Sequence, residues 1–282
     1  MTVGEIRKKF LETLSTIYPQ SEALAITRFM LEDVLQLSSL YQSLSAHLIL
    51  TAAQKETLEN YLVRLVNHEP FQHILGYELF HGLKLEVNPD VLIPRPETEE
   101  LVEWILDADT GAKTVLDIGT GCGCVAIALA KSLPDAEVEA LEVSEKAIAV
   151  AKRNAVNNQV AVTIFQMDIL KNAPEKNYDL MVSNPPYVGL DEKHLMIANV
   201  LEHEPHLALF SEDPLLFYKR IAQLAVAHLN ENGWLYFEMN EFYAAQIADI
   251  LRELHFSEIE IKKDLSGKDR MIRGRRSELM VN

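Results

Sequence analysis

Asn184, Pro185, Pro186 and Tyr187 follow Asp179 to Ser183, a short apolar run that reads as a buried strand. Two consecutive prolines fix two φ angles and remove two N–H donors, so the backbone past the strand is rigid and its carbonyls are free to accept. Asn184 adds a side-chain oxygen beside them. Acceptors gathered at the carboxyl end of a strand suit an NH2 group that reacts through its nitrogen lone pair, because each acceptor takes one N–H and orients what remains. The chemistry would be modification of a planar amide or amine. The same four residues also fit a Pro-rich turn that merely ends a strand, so the surrounding pattern has to decide.

A second cluster lies upstream, in Asp117-Ile118-Gly119-Thr120-Gly121-Cys122-Gly123. Glycines after a strand let the backbone pass close to a ligand at a helix N-terminus, where free N–H groups gather. The spacing is G-x-G-x-G, with Cys124 and Val125 where a dinucleotide enzyme would place its third glycine, which disfavours NAD. Glu142 ends the next strand about 20 residues beyond the loop, where an acid can accept both ribose hydroxyls of an adenosine. Asp168 and Ile169 end the third, the carboxylate suited to an adenine amino group and the isoleucine to the ring face. A nucleoside cofactor without phosphates fits these positions; the plainer reading of Asp168 is that it starts a turn.

These residues must be held by a sheet. Strand-like runs at Thr114 to Ile118, Glu137 to Leu141, Val162 to Phe165, Asp179 to Ser183, Trp234 to Glu238 and Glu258 to Ile261 alternate mostly with helical segments such as Val125 to Leu133 and Glu145 to Asn157. That alternation predicts an α/β, mostly parallel, doubly wound sheet over residues 94–282. Residues 1–70 are almost without Gly and Pro, and their apolar residues recur at three and four: Ile6, Phe10, Leu14, then Ile26, Phe29, Met30, then Leu58, Tyr61, Leu62, Leu65. A small helical bundle is expected, with Ser21 and Thr51 as N-caps and Thr51 to Gln54 spaced as a capping box. Between the two, residues 71–93 alternate around Gly82 and predict a linking hairpin.

Composition bounds the partners. The chain has 282 residues, 48% hydrophobic and 24% charged, with 26 basic against 42 acidic residues and a formal charge of −16, which argues against wide nonspecific capture of phosphate backbones. Residues 1–15 carry Arg7, Lys8 and Lys9 without an apolar core segment, and nowhere do about 18 apolar residues run together. No leader, no membrane contact and a cytoplasmic location are expected. Cys122 and Cys124 are too close for a bridge and too few for structural zinc, and the histidines show no ligand spacing, so no metal is expected.

All four functional strand ends fall on one edge, as ligand crevices in open sheets require. Together they resemble the class I, S-adenosylmethionine-dependent methyltransferases with a Rossmann-like fold, and among them the Asn-Pro-Pro-Tyr group that methylates amide or exocyclic nitrogens. Three flanking stretches narrow the resemblance: Ile93 to Glu99 (Ile-Pro-Arg-Pro-Glu-Thr-Glu), Glu202 to Leu209 (Glu-His-Glu-Pro-His-Leu-Ala-Leu) and Asp264 to Arg270. With them the whole chain resembles the HemK/PrmC family, the release-factor glutamine methyltransferases.

The resemblance implies S-adenosyl-L-methionine as cofactor, held by Gly119, Thr120, Gly121, Cys122 and Gly123 at its methionine part, by Glu142 at the ribose, and by Asp168, Ile169 and Asn184. It implies Asn184, Pro185, Pro186 and Tyr187 as the substrate site, with Asn184, Pro185 and Tyr187 catalytic. The substrate would be the Gly-Gly-Gln glutamine of class-1 peptide chain release factors, methylated at N5, with residues 1–70 docking it. This chain departs from the family's usual Asp at Glu142, aromatic at Ile169, and Ser or Thr with Ala at Cys122 and Cys124.

Two other classes stay open from the residues: nucleic-acid methylation, since adenine N6 and guanine N2 offer the same NH2 group, and noncatalytic cofactor binding. Arg95 and Glu97 fit either an ordered pocket entrance or an ion pair linking domains, the second being the commoner role for such a pair. Glu202, Glu204 and Pro205 fit either a substrate channel or a polar loop cap, and Tyr236 to Glu238 read as core. Lys262, Lys263, Lys268, Arg270, Arg273, Arg275 and Arg276 form a basic cluster best read as strand charges facing solvent.

Overall fold

The structure is a computed structural model and describes residues 1–189, 198–211 and 213–277, with only the backbone of Ser39, Ala198, Val200 and Glu202. Five helices come first: α1 (Val3–Leu14), α2 (Gln20–Leu35), α3 (Ser39–Leu44), α4 (Ala52–Val66) and α5 (Phe71–Leu75). A hairpin of β1 (Tyr77–Phe80) and β2 (Leu83–Glu86) leads to α6 (Pro96–Asp107), β3 (Thr114–Ile118), α7 (Cys124–Ser132), β4 (Glu137–Glu142), α8 (Glu145–Asn157), β5 (Thr163–Gln166) and β6 (Tyr178–Ser183). The chain continues through β7 (Val188–Gly189), α9 (Ala198–His203), α10 (His206–Leu209), β8 (Phe210–Ser211), α11 (Leu216–His228), β9 (Leu229–Glu238), α12 (Ala244–Glu253), β10 (Ser257–Lys263) and β11 (Asp269–Arg275).

Two compact units result, one of residues 1–76 with 197–203 and one of residues 77–196 with 204–282. In the helical unit, Val3, Ile6, Phe10 and Leu14 form one buried stripe on α1 that meets Ile26, Met30 and Leu31 of α2 and Leu58, Leu62 and Leu65 of α4. Reciprocal capping boxes start α1 at Thr2 and α4 at Thr51, as the Thr51 to Gln54 spacing predicts. The Ser21 cap is corrected: α2 starts at Gln20, two residues earlier than a Ser21 cap would set it, behind Pro19, whose φ of −53° is already near the helical value and whose carbonyl accepts from Ala23 N at 2.9 Å. Asn199 of α9 donates to the Tyr18 hydroxyl at 3.3 Å within this unit.

The second unit carries a seven-stranded sheet in the order β10-β11-β9-β6-β3-β4-β5. β9, β6, β3, β4 and β5 are mutually parallel, while β11 and β10 close the edge antiparallel. Side chains alternate between two cores, as a pleated strand covered on both faces requires. Val115, Leu180, Val182 and Tyr236 face α6, α7 and α8. Leu116, Ile118, Met181, Leu235 and Phe237 face α11 and α12.

The expected hairpin over 71–93 is corrected at its start: Phe71–Leu75 form α5 of the helical unit, and only residues 77–86 make the β1–β2 hairpin, whose Phe80, Leu83 and Leu85 belong to the first of these cores. Buried Asn154 of α8 fixes it further, accepting from Glu86 N at 2.6 Å and donating to Glu86 O at 3.0 Å. Its alternation therefore marks burial on this sheet unit. β11 is an element that sequence reading had merged with the basic cluster.

Chain order reverses at β3: β4 and β5 extend the sheet to one side, and β6 returns to the other. A crevice opens at such a switch point, beyond the carboxyl ends of β3 and β6.

Candidate active site

A cavity of about 390 Å³ lies at this switch point, a size ordinary for small-molecule sites. Its wall holds Gly119, Thr120, Gly121 and Cys122 from the loop after β3, Glu142 from the end of β4, Asp168 and Ile169 after β5, and Asn184, Pro185 and Pro186 after β6. Residues spread over 68 positions of sequence thus meet because four parallel strands end on one edge. Gly123 and Tyr187 are not in that wall. Gly123 instead sits under α8: at φ +87°, an added Cβ would lie 2.9 Å from Ile127 Cδ1 and 3.2 Å from Ala151 Cβ.

The glycine loop is tied down by carboxylates. Asp117 of β3 is buried and accepts from the Thr120 hydroxyl at 2.7 Å and from Ala126 N at 3.2 Å, joining strand, loop and first turn of α7. Burial pushes its carboxyl up to about 6, with Glu142 adding repulsion and the two hydrogen bonds opposing. Glu142 accepts from Gly121 N at 3.0 Å, Val143 N at 2.8 Å and Ser144 N at 3.0 Å. A carboxylate has about four acceptor sites, so three backbone donors fix its position and leave acceptor capacity facing the cavity. Asp168 accepts from Leu170 N at 3.0 Å and pairs with Lys171 at 2.8 Å, which holds its carboxyl below the usual carboxylate range. It does start a turn, and it also lines the cavity.

Beyond the end of β6, the strand next to β3, Asn184 is half-buried and is followed by buried Pro185. Its Nδ2 donates to Thr98 Oγ1 at 3.2 Å, and the Thr98 hydroxyl donates to Glu238 Oε2 at 2.6 Å. Tyr187 packs against the second core, and burial pushes its phenol up.

Thr98, Glu238 and Asp117 are the residues that sequence reasoning left out of the site. Thr98 lay inside the Ile93 to Glu99 signature, while Glu238 looked like the end of a core strand. Arg95 is corrected: it pairs with buried Glu204 at 2.6 Å and not with Glu97. Glu204 also accepts from Ile93 N at 3.2 Å, so it acts as a cap on the loop entering α6, and Pro205 lines the cavity beside it. The side chain of Glu202 lies outside the described residues.

Five of the seven cations of the basic cluster are paired in place, while Lys262 lies 5.6 Å from the Trp104 ring centre and Arg276 donates to the Leu229 carbonyl. Lys263 pairs with Asp269, Lys268 with Glu241, Arg270 with Asp264, Arg273 with Glu260 and Arg275 with Glu258. Arg273 also stacks on Trp104 and Trp234, at 4.9 and 4.7 Å. Among the described residues no group of His, Cys, Asp or Glu could hold a metal ion, and no helix is long and apolar enough to cross a membrane.

A parallel sheet with its glycine loop and acid-tipped second strand beside a proline-fixed amide is the arrangement of a class I methyltransferase. Residues 97–218 match the family described as methyltransferase small domain, and residues 5–76 match the PrmC N-terminal domain. A methyltransferase from Pyrococcus furiosus shares the fold, with TM-score 0.54, 20% identity, and coverage of 78% of this chain and 99% of that one.

Release factor glutamine methyltransferases from Flavobacterium psychrophilum and Bacteroides thetaiotaomicron are 43% and 42% identical, covering 97% and 94% of this chain and 99% and 97% of theirs. The chain belongs to the release factor glutamine methyltransferase family.

Proposed function

We propose that the protein transfers a methyl group to the side-chain amide nitrogen, N5, of the glutamine in the Gly-Gly-Gln motif of class-1 peptide chain release factors, using S-adenosyl-L-methionine in the cytoplasm. The observation that carries this reading is the orientation of Asn184. Its NH2 end is taken by Thr98, so its oxygen is the end left to accept, and both Asn184 and Pro185 line the cavity.

Two fixed acceptors match the two hydrogens of a primary carboxamide. An amide nitrogen is a poor nucleophile because its lone pair is delocalised into the carbonyl, so holding both hydrogens and turning the lone pair toward the donor is the main task. Such positioning contributes several kcal/mol. The bound cofactor supplies an already activated sulfonium methyl. The nitrogen becomes acidic as it is alkylated, and its proton leaves without a strong base.

For the cofactor, Gly119 and Gly121 support the fit, since an added Cβ would meet nothing within 4 Å at either and close backbone approach is left open. Glu142 would accept from the ribose, Asp168 from the adenine amino group, and Ile169 would pack on the ring. Thr120 and Cys122 complete that wall, and Gly123 holds the loop on α8. Residues 1–70 would dock the release factor.

Nucleic-acid amino methylation is not favoured: the relatives carry the release-factor name, and five of the seven C-terminal cations are held in ion pairs. The test offers radiolabelled cofactor with release factor, with the same factor lacking its motif glutamine, and with nucleic acid. Label is expected on the intact factor alone; label on nucleic acid instead overturns the reading.

A further inference from the structure

Asn184, Thr98 and Glu238 come from three elements: the turn after β6, the first turn of α6 and the last residue of β9. Their polar atoms run in one line, with Glu238 Oε2 at 2.6 Å from Thr98 Oγ1 and Thr98 Oγ1 at 3.2 Å from Asn184 Nδ2. Thr98 and Glu238 are 2% and 1% exposed, so bulk water does not compete for these bonds.

A threonine hydroxyl has one hydrogen and two lone pairs. Once the hydrogen is committed to a carboxylate, the hydroxyl can only accept from its other neighbour. That neighbour, Asn184, must then show Thr98 its NH2 end. The two ends of a carboxamide are nearly the same size and interchange by a half-turn, so packing alone does not choose between them. With the ends reversed, Asn184 would aim N–H groups at a substrate that also presents N–H groups.

We propose that Glu238 and Thr98 form a polarity lock: the carboxylate fixes the direction of the hydroxyl, and the hydroxyl fixes the Asn184 amide with its oxygen toward the methyl acceptor. Both are positioning residues, acting on the reacting nitrogen only through Asn184. The inference rests on the reading of Asn184 as a substrate acceptor. The charged groups that face Glu238 are Arg270 from β11, Arg95 ahead of α6 and Glu97 in its first turn. Burial is the largest influence on Glu238 and, with Glu97, opposes the ionised carboxylate that the lock requires, while the Thr98 hydroxyl and the two cations favour it.

The experiment measures single-turnover methyl transfer to release factor and cofactor affinity by calorimetry for Thr98→Val, Thr98→Ser, Asn184→Ala and the Thr98→Val/Asn184→Ala pair, each first shown to unfold cooperatively. Valine keeps the shape of threonine and removes the hydroxyl, and serine keeps the hydroxyl. Thr98→Val is expected to slow transfer about 10- to 100-fold with cofactor affinity within about twofold of wild type. Thr98→Ser should restore the rate to within about threefold. The pair should be no slower than Asn184→Ala alone, since the lock has nothing left to orient.

A Thr98→Val rate near wild type overturns the lock, as does a serine variant as slow as the valine one or a further loss in the pair. If Asn184→Ala itself transfers at a near-normal rate, the substrate reading of Asn184 fails, and that result is distinct from a failure of the lock alone.

Discussion

The cleft has two walls, and each is braced by one buried carboxylate. On the cofactor wall, Asp117 binds the Thr120 hydroxyl and the Ala126 amide, so its bonds end in backbone and loop. On the acceptor wall, Glu238 binds the Thr98 hydroxyl, which binds the Asn184 side chain. Burial raises both groups, to about 6 and about 7. The same device therefore serves two ends: one carboxylate shapes a loop, and the other sets the direction of a single amide. Disturbing the first should be felt in binding and stability, and disturbing the second in the rate of transfer.

The largest effect is expected at Asn184. Asn184→Ala should slow methyl transfer by about 10²- to 10³-fold, the range for losing one preorganised hydrogen bond to a reacting group, while cofactor affinity by calorimetry stays within a few-fold. Asp117→Ala should reverse that balance. It leaves the Thr120 hydroxyl and Ala126 amide without their acceptor, which costs roughly 2–3 kcal/mol in denaturant unfolding, and cofactor affinity should drop with the loop. If Asn184→Ala loses cofactor binding as fully as transfer, the two walls are not separable and the comparison fails.

The acidity of the two carboxyls gives a further measurement. An acid whose folded value lies above its unfolded one holds a proton that the unfolded chain has released. Stability therefore falls as pH rises through that window and is flat above it. For Asp117 the window runs from about 4 to about 6, and for Glu238 from about 4.5 to about 7. Each contributes a fall of roughly 3 kcal/mol. Paired carboxylates elsewhere change stability in the opposite sense, so the readout is the difference between wild type and variant. Glu238→Gln should gain stability relative to wild type between pH 4.5 and 7, and Asp117→Asn between pH 4 and 6. A difference that does not change with pH would mean that these groups titrate normally in the folded protein.

How much of this was legible in the sequence follows from the range of each interaction. The glycine loop, Glu142, Asp168 and Asn184 each sit at a strand end, and strand ends are marked locally by apolar runs and by Gly or Pro. The braces are not local. Thr98 and Glu238 are 140 residues apart, and Arg95 and Glu204 are 109 apart, so no spacing pattern announces either pair. Glu238 was hidden a second way, because a carboxylate ending a run of Tyr236 and Phe237 reads as the point where a core strand meets solvent. β11 was hidden by its own composition: Arg270, Arg273 and Arg275 read as a basic surface until cross-strand glutamates and the Trp104 and Trp234 rings are seen around them.

The loop itself offers the finest division between the walls and the body of the protein. Gly121 and Gly123 both hold positive φ, at +56° and +87°, where a side chain costs about 1 kcal/mol. Around Gly121 an added Cβ meets open space at the cavity wall, whereas at Gly123 it meets Ile127 and Ala151. Ile127 Cδ1 can swing aside, but Ala151 Cβ is fixed to α8. Gly123→Ala should therefore lose about 2–3 kcal/mol in denaturant unfolding, combining strain with overpacking, and bind cofactor nearly normally once folded. Gly121→Ala should lose only about 1 kcal/mol and weaken cofactor binding, because its methyl group projects where the cofactor would lie. If Gly123→Ala instead weakens binding without loss of stability, the third glycine belongs to the cofactor wall, and the G-x-G-x-G run is one ligand loop to its last residue.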